Sequence, residues 1–215
     1  MRGQNGKKWG FRISWHTFFG VAVSKTYEKN IACLECLWEG NLENRVSVAP
    51  MIDLIAKLNG VGFTHLTCNT RKEFEFNLRE LRNSHKKKER SILYLAFHGK
   101  PGRILLSDGD VLTLEELAEV MGTKFKDWIV HFGTCSTLAT KESRLRNFLN
   151  STEVSLLVGF RKAVDWAEST SMDLILLDWM ECYKNMKCMQ NKVLGKYKDL
   201  VSITGLRFYP PSHDR

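Results

Sequence analysis

The sequence predicts a three-layer α/β/α sandwich on a mainly parallel six-stranded sheet. Three observations carry this expectation. From residue 30 onward, strand-like and helix-like segments alternate with short connections. Ser91-Ile-Leu-Tyr-Leu-Ala-Phe97 and Trp128-Ile-Val-His-Phe132 are short apolar runs, as strands covered by helices on both faces require. Segments such as 71–86, with Phe74, Leu78 and Leu81 at helical spacing and charges elsewhere, read as amphipathic helices.

In chain order, strands are expected at 31–38, 64–69, 91–97, 128–134, 154–160 and 206–209. Helices are expected at 47–59, 71–86, 114–121, 139–150 and 166–184, with 185–205 also helical. Arg103-Ile-Leu-Leu-Ser-Asp-Gly-Asp-Val-Leu-Thr113 reads as a hairpin turning at Asp108-Gly109. Thr113 and Glu116 form a capping-box signature for the helix that follows. Residues 1–29 lack clear periodicity and read as an N-terminal extension, or as one edge strand around 20–24. Residues 30–215 read as one domain.

At 215 residues, with 43% apolar and 26% charged side chains, the chain can build a core without metals or disulfides. It contains no apolar run of about 18 residues, and the lysines and Arg12 near its start make a poor secretory leader. A cytoplasmic protein without membrane partners is the expectation. Most of the six cysteines sit in apolar segments, which fits reduced thiols. Cys33 and Cys36 form a CxxC, but on a strand that spacing turns them to opposite faces and argues against shared ligation. The net charge of +8 is scattered, with one cluster at Lys86-Lys87-Lys88-Glu89-Arg90 expected in a loop, so nucleic acid is not the expected partner. No GxGxxG or GxxxxGK[ST] follows a strand, so nothing argues for a nucleotide, and no cofactor is expected.

Two strand ends carry the chemistry. One runs into His98-Gly99-Lys100-Pro101-Gly102, the other into Gly133-Thr134-Cys135-Ser136-Thr137. In a parallel sheet the carboxyl ends of the strands line the ligand crevice, so a histidine and a cysteine meet there if the strands are neighbours. A thiolate can attack a carbonyl while an imidazole takes its proton and later protonates the leaving amine. The N–H groups of Gly99 and Cys135 would then form a two-donor oxyanion hole, each donor worth about 3–4 kcal/mol in the transition state. His131, about 13 Å before the sulfur along an extended chain, is too far to be the base and is expected to pack in the core.

Tyr94-Leu-Ala-Phe-His-Gly99, the 103–117 hairpin with its helix, and Ile129-Val-His-Phe-Gly-Thr-Cys-Ser-Thr137 together resemble the core of CHAT peptidase domains, relatives of caspases, separases and gingipains. The resemblance covers about residues 30–182 and is strongest over 91–137. It implies a caspase-like fold and a cysteine endopeptidase acting on a protein or peptide through an acyl-enzyme, with His98 as base and acid and Cys135 as nucleophile. It also implies a bacterial stress or phage-defence setting, and switching by a separate regulatory partner or by oligomerisation. The sequence departs from the pattern in places. Gly-Thr-Cys-Ser-Thr replaces the Gln-Ala-Cys-Arg-Gly of true caspases, and the interval from His98 to Cys135 is shorter than their roughly 50 residues. A catalytically inactive caspase-like scaffold that binds peptides is therefore the alternative.

Val158-Gly-Phe-Arg-Lys-Ala-Val-Asp-Trp166 resembles the family segment that shapes the pocket for the substrate's P1 side chain. Asp165 there would favour Arg or Lys. Arg45 lies in the region where caspases keep an arginine that binds aspartate, so an acidic P1 is also open, and the two charges paired would leave an apolar preference. Gly133, at a position where metacaspases carry an acidic specificity residue, and Thr134 complete the candidate substrate-binding set.

Overall fold

A computed structural model describes residues 29–39, 43, 45–84 and 91–211. The expected edge strand at 20–24 and the lysine cluster at 86–90 lie outside the described residues. The elements are, in order, β1 (Asn30–Glu35), α1 (Ala49–Asn59), β2 (Phe63–Thr67), α2 (Arg71–Ser84), β3 (Ser91–Ala96), β4 (His98–Lys100), β5 (Arg103–Leu105), β6 (Val111–Thr113), α3 (Leu114–Met121), β7 (Ile129–Phe132), α4 (Glu142–Thr152), β8 (Leu156–Phe160), α5 (Trp166–Cys182), α6 (Met186–Lys196), α7 (Lys198–Thr204) and β9 (Leu206–Tyr209).

Six strands form the central sheet in the order β2-β1-β3-β7-β8-β9. All neighbours are parallel except β8 and β9. The expected fold class is thus the observed one. Alternation along each strand sends side chains into two separate cores. Leu93, Leu95 and Phe97 join α2, α3, α4 and the small sheet on one face. Ile92, Tyr94 and Ala96 join α1, α5, α6 and α7 on the other. Cys33 and Cys36 fall into different cores, as their spacing requires. Side chains such as Phe74 and Ile52 are fully buried, each contributing about 1.5–3 kcal/mol.

Several boundaries differ from expectation, and each difference matters for the site. β1 stops at Glu35, short of residue 38, because the chain must turn away once its carbonyl partners on β2 and β3 run out. β7 stops at Phe132, so Gly133, Thr134 and Cys135 form a loop above the sheet. α4 starts at Glu142, since 136–141 is taken up by that loop's return. The 185–205 stretch is two helices divided at Tyr197. The hairpin gains a third strand, β4, which pairs antiparallel with β5 through His98↔Leu105. Gly109 takes φ +89 at the turn, and the Thr113–Glu116 capping box forms as its spacing requires.

Candidate active site

β3 and β7 are hydrogen-bonded neighbours, with Leu95 opposite Phe132. The segments beyond them therefore emerge side by side at the carboxyl edge, and the Gly133 N–H donates to Leu95 O at 3.0 Å. His98 follows β3 after one residue and is exposed; Cys135 stands in the loop after β7, half-buried. The two segments touch. A Cβ added to Gly99 would overlap the Cys135 carbonyl oxygen and Thr137 Oγ1, and would lie 3.0 Å from Thr134 Cβ. Only glycine lets β4 come this close to the cysteine's backbone.

The orientation of the histidine follows from its partner. His98 Nε2 lies 2.5 Å from the Trp38 carbonyl oxygen. A carbonyl only accepts, so Nε2 carries the proton and Nδ1 of the neutral ring is left as the base. The Trp38 ring packs edge-on against the imidazole, with centroids 5.2 Å apart, and against Trp166 at 5.0 Å. The Cys135 thiol donates to Val164 O at 3.7 Å, and its own amide donates to no protein acceptor among the described residues. Val164, Trp166 and Trp38 thus run as a wall from the sulfur to the imidazole. Just past the cysteine, Ser136 takes φ +57, a left-handed conformation that costs a non-glycine residue free energy. Its N–H donates to Lys162 O, and its carbonyl accepts from Ala139 N.

The other cysteines differ in setting. Cys33, Cys36, Cys68 and Cys182 are buried, and Cys188 is exposed on α6. Burial pushes the Cys33 and Cys36 thiols up and that of Cys68 to about 12, which keeps all three protonated and unreactive.

The candidate substrate-binding residues occupy varied places. Asp165 caps α5, its Oδ1 accepting from Ala167 N at 2.8 Å. It lies next to the Val164–Trp166 wall, but one oxygen serves the helix. Arg45 is exposed. Gly133 is backed against the Tyr94 ring, which a Cβ there would overlap, so no side chain could project from it into a cleft. Thr134 is 1% exposed and donates to Thr137 Oγ1 at 2.6 Å, so its hydroxyl braces the loop from inside.

Sequence reasoning missed the role of Trp38, which it places inside a strand; Val164 and Trp166 fall in the 158–166 segment expected beside the pocket, and Trp166 starts α5 where the helix is expected. The available signal was an aromatic residue just beyond two strand ends on the His–Cys edge. His131 is in the core as expected, buried with its Nε2 at 2.6 Å from Asp173 Oδ1. Its stacking on Tyr94, which donates to Asp173 Oδ2, was not legible.

The fold is shared with solved caspases. The crystal structure of the Drosophila initiator caspase Dronc matches with a TM-score of 0.61 and 12% identity, over 88% of this chain and 82% of that one. The crystal structure of caspase-1 from Spodoptera frugiperda matches with a TM-score of 0.53 and 8% identity, over 86% and 87%. At these identities the likeness is one of fold: this is a caspase-like α/β protein. None of the curated proteins matches the sequence. By sequence, the chain belongs to a family of unknown function, DUF6642, whose pattern matches residues 28–210. Among the described residues, no helix is long and apolar enough to cross a membrane.

Proposed function

We propose that this chain is a cysteine peptidase of the caspase/CHAT type, cleaving peptide bonds through Cys135 and His98. One observation carries the reading. The His98-Gly99 segment is packed on the Cys135 backbone at the shared edge of β3 and β7, while Trp38 O holds the His98 Nε2 proton. In the first step the Cys135 sulfur attacks the scissile carbonyl carbon. The C–S bond forms as the thiol proton passes to His98 Nδ1. The Cys135 amide, with that of Gly99, receives the oxyanion. Nδ1 then protonates the amine as the C–N bond breaks. Water attacks the thioester, its proton passing to Nδ1 and back to sulfur as the C–S bond breaks.

The Trp38–Trp166 wall supports an apolar component in substrate recognition, while the exposed edge of Asp165 keeps a basic P1 in contention. A second reading, an inactive scaffold, draws on the Cys135 thiol donating to Val164 O instead of to an imidazole.

Both are tested with peptide acyloxymethyl ketones bearing Arg, Asp or Leu at P1, with adducts located by mass spectrometry. A peptidase gives labelling at Cys135 well ahead of exposed Cys188, sensitive to P1 and lost in Cys135→Ala and His98→Ala. Labelling of Cys135 no faster than Cys188, and indifferent to His98→Ala, would establish the scaffold reading instead.

A further inference from the structure

Glu35 ends β1, the second strand of the central sheet, and is 4% exposed, yet no part of the peptide-cleaving chemistry above uses it. A carboxylate that far from water is stabilised only if its lone pairs are filled. Here they are. Oε1 accepts from the Trp38 indole N–H at 2.6 Å and from Val48 N–H at 2.8 Å. Oε2 accepts from the Ser47 hydroxyl at 2.6 Å and faces His65 Nε2 at 2.6 Å. One side chain thus ties the residue that holds His98 to the start of α1 and to β2.

The need for such a tie follows from local structure. Beyond Cys36, the chain has left the sheet, and Trp38 belongs to no helix or strand. Its backbone neighbourhood is steadied by the Leu37 N–H donating to Asn69 Oδ1 at 2.9 Å and by Ser107 donating to Leu37 O at 3.0 Å. The Trp38 side chain has one polar atom, and Glu35 takes it. With the indole fixed at Nε1 and its ring set between His98 and Trp166, the rotamer is determined and the main chain at Trp38 has little freedom left. The carbonyl that receives the His98 Nε2 proton lies on that main chain.

We propose that Glu35 is a positioning residue for the site: its carboxyl oxygens fix Trp38, and through the Trp38 carbonyl it sets the tautomer and orientation of His98. This rests on His98 serving as the base for Cys135. Glu35 touches neither the substrate nor the sulfur. Its contribution is to keep the acceptor for Nε2–H in place, so that Nδ1 is the nitrogen presented for proton transfer. Gln at this position preserves most of the arrangement. Its amide oxygen can accept from Trp38 and Val48, and its NH2 can donate to the Ser47 oxygen and to an unprotonated His65 Nε2.

The test follows alkylation of Cys135 by iodoacetamide across pH in the full-length chain, resolved from Cys188 by peptide mass spectrometry, with far-UV circular dichroism confirming the fold. Glu35→Ala is expected to slow Cys135 by about tenfold at neutral pH and to move the limb of the profile that reports His98. Glu35→Gln is expected to recover the rate to within about threefold. Trp38→Phe, which keeps a ring and the carbonyl but loses the indole N–H, slows Cys135 while leaving Cys188 unchanged. Should Glu35→Ala fail to fold, Trp38→Phe and Glu35→Gln carry the test alone. The proposal is overturned if folded Glu35→Ala or Trp38→Phe keeps the parent rate and profile, or if Glu35→Gln is no better than Ala. His98→Ala separates the two levels. If it leaves the Cys135 rate unchanged, the dyad itself fails; if it slows Cys135 while Glu35→Ala and Trp38→Phe do not, only the role of Glu35 falls.

Discussion

Replacing Asp173 by Asn should cost about 2–4 kcal/mol of stability, although the two side chains are nearly the same size. Asp173 lies on α5 with 4% of its side chain exposed, and it joins the two strands that lead to the site. Its Oδ2 accepts from Tyr94 OH on β3 at 2.6 Å, and its Oδ1 lies 2.6 Å from His131 Nε2 on β7. The Tyr94 and His131 rings stack at 5.1 Å, and His131 Nδ1 has no hydrogen-bond partner among the described residues. The carboxylate draws the imidazole proton to Nε2 and leaves at Nδ1 only a lone pair. Asparagine cannot accept from both neighbours. With its oxygen toward Tyr94, its NH2 faces His131 Nε2, and the imidazole proton must move to Nδ1, where nothing receives it. An orphaned buried donor costs about 1–3 kcal/mol, and the exchange of charge-assisted for neutral hydrogen bonds adds about 1 kcal/mol. At about 2–4 °C per kcal/mol for a domain of this size, a 2 kcal/mol loss lowers Tm by about 4–8 °C. Urea denaturation of Asp173→Asn, Asp173→Leu and the triple variant Asp173→Leu/His131→Phe/Tyr94→Phe measures the network directly. Leu alone should lose about 3–5 kcal/mol, and the triple variant should recover much of it, because apolar groups of similar volume leave no orphan. The reasoning is refuted if Asn is within about 0.5 kcal/mol of the parent, or if the triple variant is no more stable than Leu alone.

Two further outcomes follow from the site. Gly99→Ala forces a Cβ into the Cys135 carbonyl and Thr137 Oγ1, so β4 must withdraw from the cysteine loop at a cost of about 1–3 kcal/mol. Denaturation should show that loss, together with slower Cys135 alkylation; a neutral substitution would mean that the segments do not pack. Acid stability should depend on Glu35. Burial pushes its carboxyl up, but hydrogen bonds from His65, Ser47, Trp38 and Val48 outweigh this and hold it below the ordinary 4.5. A carboxyl depressed on folding stabilises the protein above its unfolded value, and that share is lost as pH falls through the lower folded value. The stability of Glu35→Gln should therefore fall less steeply than the parent's on acidification below about pH 4.5. Parallel curves from denaturation across pH 3–7 (roughly the carboxylate range) would contradict that assignment.

Much of the scaffold was legible because it rests on short-range rules. Apolar runs at 91–96 and 129–132 mark strands buried on both faces. The Thr113–Glu116 pair marks a helix start, because both halves of the box lie within one turn. The Gly109 turn needs a positive φ that few residues adopt. His98 and Cys135 stood out because strand ends in a parallel sheet lie on one edge, a property of the topology that alternation of elements already implies. Boundaries were less legible. Trp38 extends the apolar pattern of β1, and only the end of the ladder shows that the strand has finished at Glu35.

The sequence by itself determined the layering, the two cores and the edge at which a histidine and a cysteine emerge, since periodicity and turn chemistry are local and additive. Tertiary structure alone decided what each side chain does there. Asp165 is expected from the sequence as a substrate-binding carboxylate, and only the fold shows that one of its oxygens accepts from the Ala167 amide. Glu35 and Trp38 are three residues apart, but the carboxylate's partners on α1 and β2 and the carbonyl's partner His98 come from distant parts of the chain. Hydrogen bonds are satisfied by whatever the fold brings within about 3 Å, and that proximity is a property of the assembled molecule.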